Sequence, residues 1–260
     1  MMRSTVIKLY LSLLLTACLP ACGAANVDTG TLFSGTAPAD YLRGKYSPAE
    51  HPLFVRLSPQ EVPTDGRPQY LRKEAAEKLS ALYREFQKEH PGVRFQVVSS
   101  TRTWDDQKWI WEGKWKGSIL VDGQRLNETI QEPLDRAKKI LQYSSMPGTS
   151  RHHWGTDFDL NELYNEYYDH GEGAVLYDWM KKNAHRFGFC QPYTAGRNAG
   201  YQEERWHWSY MPLSAQFISL WKKLYQEMKG AIFGADEFAG AAHAGHLALL
   251  YVETINQECK

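Results

Sequence analysis

Apolar residues recur along this 260-residue chain with two periods, and the switches between them mark out its elements. In KEAAEKLSALYREFQKEHPG, the residues Ala75, Leu79, Leu82, Tyr83 and Phe86 fall on one helical face, and Pro91-Gly92 ends the helix. VRFQVVSS (93–100) alternates and is rich in β-branched residues, which predicts a strand. TRTWDDQKWIWEGKWKG predicts a helix opening just after it. EPLDRAKKILQY predicts another, with Pro133 in the first turn and Leu134, Ala137, Ile140 and Leu141 at helical spacing. GTDFDLN predicts a short strand, and AVLYDWMKKNAHRFG a helix stopped by Gly188. EERWHWSYM predicts a further strand with Trp206 and Trp208 on one face. PLSAQFISLWKKLYQEMKG is amphipathic through Phe217, Leu220, Trp221, Leu224 and Met228. The segment 230–260 is rich in Ala and Gly and then apolar, which predicts a C-terminal helix packed on the domain. Strands are few and short, helices surround them, and no βαβ rhythm is sustained. The expected fold is therefore α+β with a small antiparallel sheet.

The N-terminus departs from this pattern. MMRSTVIKLYLSLLLTACLPACGAANVD has a basic start (Arg3, Lys8), an apolar run to Leu15 and then small residues before cysteine. Such a run is too short to span a bilayer as a stable helix and reads as an export signal. LTAC, ending at Cys18, resembles the bacterial lipobox, whose cysteine is lipidated after cleavage. LPAC, ending at Cys22, is the alternative. The expected organisation is a signal segment and lipobox over 1–22, a flexible tether over 23–45 and a folded domain over 46–260 with a C-terminal helical extension. Export changes how the remaining cysteines read. In an oxidising compartment Cys190 and Cys259 can pair as a disulfide; otherwise they remain two buried thiols.

Lys+Arg and Asp+Glu balance at 30 each, which argues against nucleic acid or an anionic membrane surface as the main partner. Trp104, Trp109, Trp111 and Trp115 crowd one predicted helix, either as core packing or as the wall of a cleft for an extended ligand.

Candidate chemistry gathers in three places. SRHHWGTDFD offers His152 and Asp159 as an imidazole and a carboxylate for zinc, with Gly155 letting the backbone turn between them. Ordinary hydrogen bonding explains such a stretch equally well when it is taken alone. EERWHW adds His207, which would complete a His/Asp/His set. It also brings Glu204, which can take a proton from a water at the open coordination position. Arg102 in SSTRTWDDQ lies where a strand gives way to a helix, a place to present a fixed cation to a carbonyl, a carboxylate or a developing oxyanion.

In order and spacing these segments resemble the zinc D-alanyl-D-alanine carboxypeptidases of the VanY type, within the wider group of lysostaphin-like peptidases and the Hedgehog signalling domain. The family's S-x-H-x-x-G-x-A-x-D is matched by Ser150, His152, Gly155 and Asp159, and its E-x-W-H by Glu204, Trp206 and His207. Its upstream R-[ST]-x-x-x-Q is matched by Arg102, Thr103 and Gln107, so the resemblance runs from about residue 70 to about residue 225. It implies one zinc ion per chain held by His152, Asp159 and His207, with Glu204 as catalytic base and Arg102 stabilising negative charge. Ser150 and Gln107 would meet the substrate. The implied reaction is removal of the terminal D-Ala from peptidoglycan stem peptides; together with the lipobox, the expectation is a monomer lipid-anchored to the membrane and facing the wall or periplasm. An L,D-carboxypeptidase, a wall endopeptidase and a non-catalytic zinc-stabilised binding module are the alternatives. Two residues depart from the pattern. Asp157 stands where the family has Ala, either facing away along the strand or buried as a hydrogen-bonded support. His153 is extra; the His-x6-Asp spacing selects His152, with a swap left open.

Overall fold

The computed structural model describes residues 29–260, so the signal segment, with Cys18 and Cys22, lies outside the described residues. Helices α1 (Thr29–Phe33) and α2 (Pro38–Leu42) open the described chain, inside the stretch expected to be a tether. That expectation is corrected from residue 29 onward. Phe33, Tyr41 and Leu42 are almost wholly buried, and each such side chain contributes roughly 1.5–3 kcal/mol on leaving water. Small residues made the stretch look loose, but its few large apolar ones dock it. Tyr41 donates to the Trp154 carbonyl and Trp154 Nε1 donates to the Leu42 carbonyl, which ties this segment to the turn that carries His152.

Strands β1 (Phe54–Arg56) and β2 (Tyr70–Arg72) pair antiparallel as a separate two-stranded sheet, and α3 (Lys73–Glu89) follows with Ala75, Leu79, Leu82 and Phe86 buried. Strand β3 (Val97–Ser99) is shorter than the predicted 93–100. Asn161 explains the shortening. In the left-handed conformation (φ 50°), its side chain accepts from the Gln96 amide and donates to the Arg94 carbonyl, replacing the backbone ladder there.

Helix α4 (Trp104–Trp115) starts at a capping box, in which Thr103 Oγ1 accepts from the Asp106 amide and the Asp106 carboxylate accepts from the Thr103 amide. Helices α5 (Leu126–Thr129) and α6 (Pro133–Ile140) precede β4 (Asp157–Leu160). Next come α7 (Gly171–Asn183), β5 (Phe189–Cys190), β6 (His207–Tyr210) and α8 (Met211–Glu227). The single C-terminal helix expected over 230–260 is instead a series of short turns, including α9 (Ala241–Ala244) and α10 (Ala248–Glu253), with Gly240 in the left-handed region at φ 79°. A disulfide joins Cys190 of β5 to Cys259 near the chain end.

The main sheet has the order β3-β4-β6-β5 with every neighbour antiparallel. Alternation sorts its two central strands. Phe158, Leu160, Trp208 and Tyr210 enter a core shared with Leu79, Leu82 and Phe86 of α3 and Trp179 and Met180 of α7. Asp157, Asp159, His207 and Ser209 take the opposite face, with Asp159 directly across from His207 and Asp157 across from Ser209. A second core gathers Trp104, Trp111, Trp154, Phe217, Trp221 and Phe238. Among the described residues no helix is long and apolar enough to cross a membrane.

Candidate metal centre

Sheet register brings Asp159 and His207 together, and a 3-10 turn, Arg151–Trp154, brings His152 to them. Gly155 makes the connection. Its φ of 72° is a left-handed conformation, and a Cβ there would lie 2.3 Å from the Phe54 ring. His152 Nε2 lies 3.3 Å from Asp159 Oδ2, and His207 Nδ1 lies 3.1 Å from Asp159 Oδ1. All three residues are buried.

These contacts do not behave as a closed hydrogen-bonded set. His152 Nε2 and Asp159 Oδ1 are buried and have no partner in hydrogen-bond geometry, which leaves both available to an ion. One donor atom from each of the three residues can be chosen so that all lie within 4.8 Å of one another. Bonds of about 2.0–2.1 Å to a tetrahedral zinc ion would set neighbouring donors roughly 3.3–3.4 Å apart, close to the separations found. Two imidazoles and a carboxylate, with a fourth position free, are a donor set that suits catalytic zinc.

Each imidazole is oriented from behind. His152 Nδ1 lies 2.7 Å from the Ser100 carbonyl and donates to it, which leaves Nε2 free for a metal. His207 Nε2 lies 2.9 Å from Asp157 Oδ1, which leaves Nδ1 as the metal-facing nitrogen. Asp157 therefore does not face away. It sits fully buried behind His207 and accepts from Arg151 Nε at 3.0 Å and Ser209 Oγ at 3.0 Å. Burial alone would raise the Asp157 carboxyl, but Arg151 and the His207 hydrogen bond hold it well below the usual carboxylate range. Burial likewise works against Asp159, and the two imidazoles, His152 foremost, overcome it and keep the carboxyl well below its ordinary value. His207 is driven the other way. Burial would lower it, and the surrounding carboxylates of Asp157, Asp159 and Glu204 raise it well above a free imidazole. This is a pocket that demands a cation.

His153 is excluded from that pocket. Its Nδ1 donates to the Arg102 carbonyl at 2.7 Å and its Nε2 accepts from the Gly148 amide at 3.0 Å, so both nitrogens are used. Burial pushes its pKa down to about 3, which keeps the ring neutral. It acts as a pin between the Arg102 and Gly148 backbones.

Glu204 is buried with its Oε2 3.4 Å from His207 Nδ1. Burial pushes its carboxyl up, against the pull of His207, which is the direction a proton carrier at neutral pH needs. Arg102 is half-buried, its Nε has no hydrogen-bond partner, and its charge bears on both His152 and Glu204. Ser150 is fully buried with an unpartnered hydroxyl. Arg102, Ser150, Glu204 and the three metal-site residues all line one cavity of about 600 Å³.

Gln107, expected at the substrate, keeps a buried Oε1 without a hydrogen-bond partner. It is fully buried and outside the cavity lining, one turn into α4, with Nε2 donating to the Ser145 carbonyl at 2.7 Å. It supports the wall formed by Ser144 and Ser145. The Trp residues of α4 are likewise no cleft wall: Trp104 and Trp111 are core, Trp115 packs on it, and Trp109 is 71% exposed. Sequence reasoning missed Tyr193, whose ring lies 4.8 Å from that of His207 in the cavity lining, and no local signal singles it out.

Fold and site together define a metal-dependent hydrolase that works with a buried His–Asp–His set. The family model VanY, D-alanyl-D-alanine carboxypeptidase, matches residues 68–213, more than half of the chain. The chain belongs to that family and is a metallopeptidase. Among solved structures it is similar to the LdcB LD-carboxypeptidase, with 21% identity over 72% of this chain and 76% of that one (TM-score 0.48). It is also similar to the vancomycin-resistance D,D-pentapeptidase VanY of a VanB-type cassette in complex with Zn(II), at 23% identity over 66% and 88% (TM-score 0.44). DacB from Streptococcus pneumoniae D39 gives 20% identity over 67% and 82% (TM-score 0.40). At such scores the substrates of those proteins remain theirs. No curated protein matches the chain significantly.

Proposed function

We propose that the protein is a zinc D,D-carboxypeptidase that removes the terminal D-Ala from peptidoglycan stem peptides. The observation that carries this reading is a buried carboxyl, Glu204, with a raised pKa, standing 3.4 Å from a ligand of the His152–Asp159–His207 set on the wall of one cavity. His152, Asp159 and His207 would hold a zinc ion, which would supply a Lewis acid for the scissile carbonyl and lower the pKa of water there to about 7. Glu204 Oε2 accepts the water proton and returns it to the departing amine. The Arg102 guanidinium, with no ion-pair partner among the described residues, takes up the negative charge that develops on the carbonyl oxygen. The unpartnered Ser150 hydroxyl orients the peptide beside it. A site kept only for structure has no use for an acid poised in this way.

Export and anchoring belong to the same reading. Cys18 is the lipidated residue, with Cys22 the alternative, and the Cys190–Cys259 disulfide supports an oxidising compartment outside the cytoplasm. The mature protein, incubated with muropeptides ending in D-Ala-D-Ala and followed by mass spectrometry, tests the activity. Loss of one D-Ala, abolished by chelator and restored by zinc, is expected. Cleavage only of tetrapeptide stems would make it an L,D-enzyme, and no cleavage with zinc bound would refute the catalytic reading.

A further inference from the structure

Helix α4 presents two faces with different work. Trp104, Trp111 and Trp115 pack into the core, whereas Gln107, Ile110 and Lys114, spaced by three and four residues, turn toward the site. Gln107 lies beneath the wall, and Ile110 and Lys114 line the cavity itself. Lys114 is half-buried in the last turn, and its Nζ donates to Ser144 Oγ at 2.6 Å. Ser144 is neutral and buried, so it steadies the ammonium without neutralising it. Among the described residues Lys114 forms no ion pair. Asp122, on the same cavity wall, is already taken by Lys139 Nζ and the Tyr143 hydroxyl. Burial brings the Lys114 pKa down to about 8, with Glu204 pulling it back up, so the ammonium is still charged at neutral pH.

Its position along the cavity has a chemical meaning. Lys114 lines the same cavity as Glu204, Arg102 and the metal-site residues. In a carboxypeptidase the departing residue carries its carboxylate on the carbon next to the amine that Glu204 protonates. A fixed cation without an ion-pair partner on the wall of the same cavity is suited to receive that carboxylate.

We propose that Lys114, held by Ser144, anchors the free terminal carboxylate of the peptide substrate and so limits cleavage to the last residue of a chain. This rests on the carboxypeptidase reading of the same site. A charge-assisted hydrogen bond in a partly desolvated cavity is worth about ten- to hundred-fold in affinity.

The test compares wild type with Lys114→Met on a stem pentapeptide ending in D-Ala-D-Ala and on its C-terminal amide. The wild type is expected to show a KM for the acid about ten- to hundred-fold below that for the amide. Lys114→Met should raise the acid's KM to the amide's, change kcat only a few-fold and leave the amide unaffected. Lys114→Arg, which keeps the charge, should retain most of the discrimination and guards against a folding defect in the Met variant. Equal losses on acid and amide would overturn the proposal in favour of an internal carboxylate, and no loss on either peptide would overturn it outright. Calorimetric binding of both peptides to zinc-loaded Glu204→Gln protein, with and without Lys114→Met, reads the anchor without turnover. If wild type cuts nothing, the carboxypeptidase reading fails while that binding ratio still decides on Lys114; binding of neither peptide overturns the anchor.

Discussion

Replacing Asp157 by Asn tests the support behind the metal set. The carboxylate accepts a hydrogen bond from His207 Nε2–H at 2.9 Å, which keeps Nδ1 free, and it neutralises Arg151, whose Nε is 3.0 Å away in a site with almost no solvent. Asparagine keeps the shape and one acceptor but loses the charge. Its amide can also turn a donor toward His207, after which the imidazole orientation is no longer specified. Losing such an outer partner typically weakens metal binding about 10–100-fold. Arg151 then becomes a buried cation without its partner, a change of roughly 3–5 kcal/mol when nothing replaces the charge, and the retained amide oxygen places Asn near the lower end. At about 2–4 °C per kcal/mol for a domain of this size, the melting temperature should fall by roughly 6–12 °C. Competition with a chelator of known affinity at pH 7.5, at a temperature where the variant is folded, reads the zinc term; a thermal melt reads the other. Zinc affinity within about threefold of wild type, a margin well under the weakening expected from losing an outer partner, would refute the role assigned to Asp157.

Glu204→Gln should reduce turnover by about 10²–10⁴ while zinc stays near one ion per chain, measured by muropeptide cleavage beside elemental analysis. Full activity would remove Glu204 from the mechanism. His152→Ala should lose the metal, whereas His153→Ala should keep it and lose about 1–3 kcal/mol of stability, because the Arg102 carbonyl and Gly148 amide it pins are left unpaired. Metal loss in the His153 variant instead would reverse the assignment. Reducing Cys190–Cys259, which spans 69 residues, should destabilise the domain by up to about 4 kcal/mol on the chain-entropy estimate, and denaturant unfolding with and without reductant measures it.

Much of this architecture is legible in the chain because its helices carry strong periodic faces: α3, α6 and α8 turn the residues their spacing selects inward, Leu79, Phe86, Ala137, Ile140, Phe217 and Trp221 fully and Tyr83, Leu134, Leu220, Leu224 and Met228 in part. The three motifs also meet in space, since the alternation of β4 and β6 sends Asp159 and His207 to one face and register sets them opposite. The direction of Asp157 is legible by the same alternation. Residues two apart on a strand share a face, so a strand that aims Asp159 at the site aims Asp157 there too. The same rule pairs Ser209 with His207.

Other features needed the fold. Whether His152 or His153 faces the metal depends on a 3-10 turn and on a left-handed Gly155, and spacing alone only favours the first. The docking of residues 29–45 rests on a handful of large side chains whose partners, such as Trp154, lie far along the chain. Lys114 and Ser144 are thirty residues apart and belong to no shared motif. Their meeting is a product of packing.

Zinc-edge anomalous diffraction from crystals of the zinc-loaded protein tests the central claim most directly. The account predicts one peak per chain, about 2.0–2.2 Å from His152 Nε2, His207 Nδ1 and a carboxylate oxygen of Asp159, with Glu204 beside the fourth position and not bound. A peak coordinated by His153, or by His207 through Nε2 with Asp157 displaced, or no ordered zinc between these residues, would contradict it.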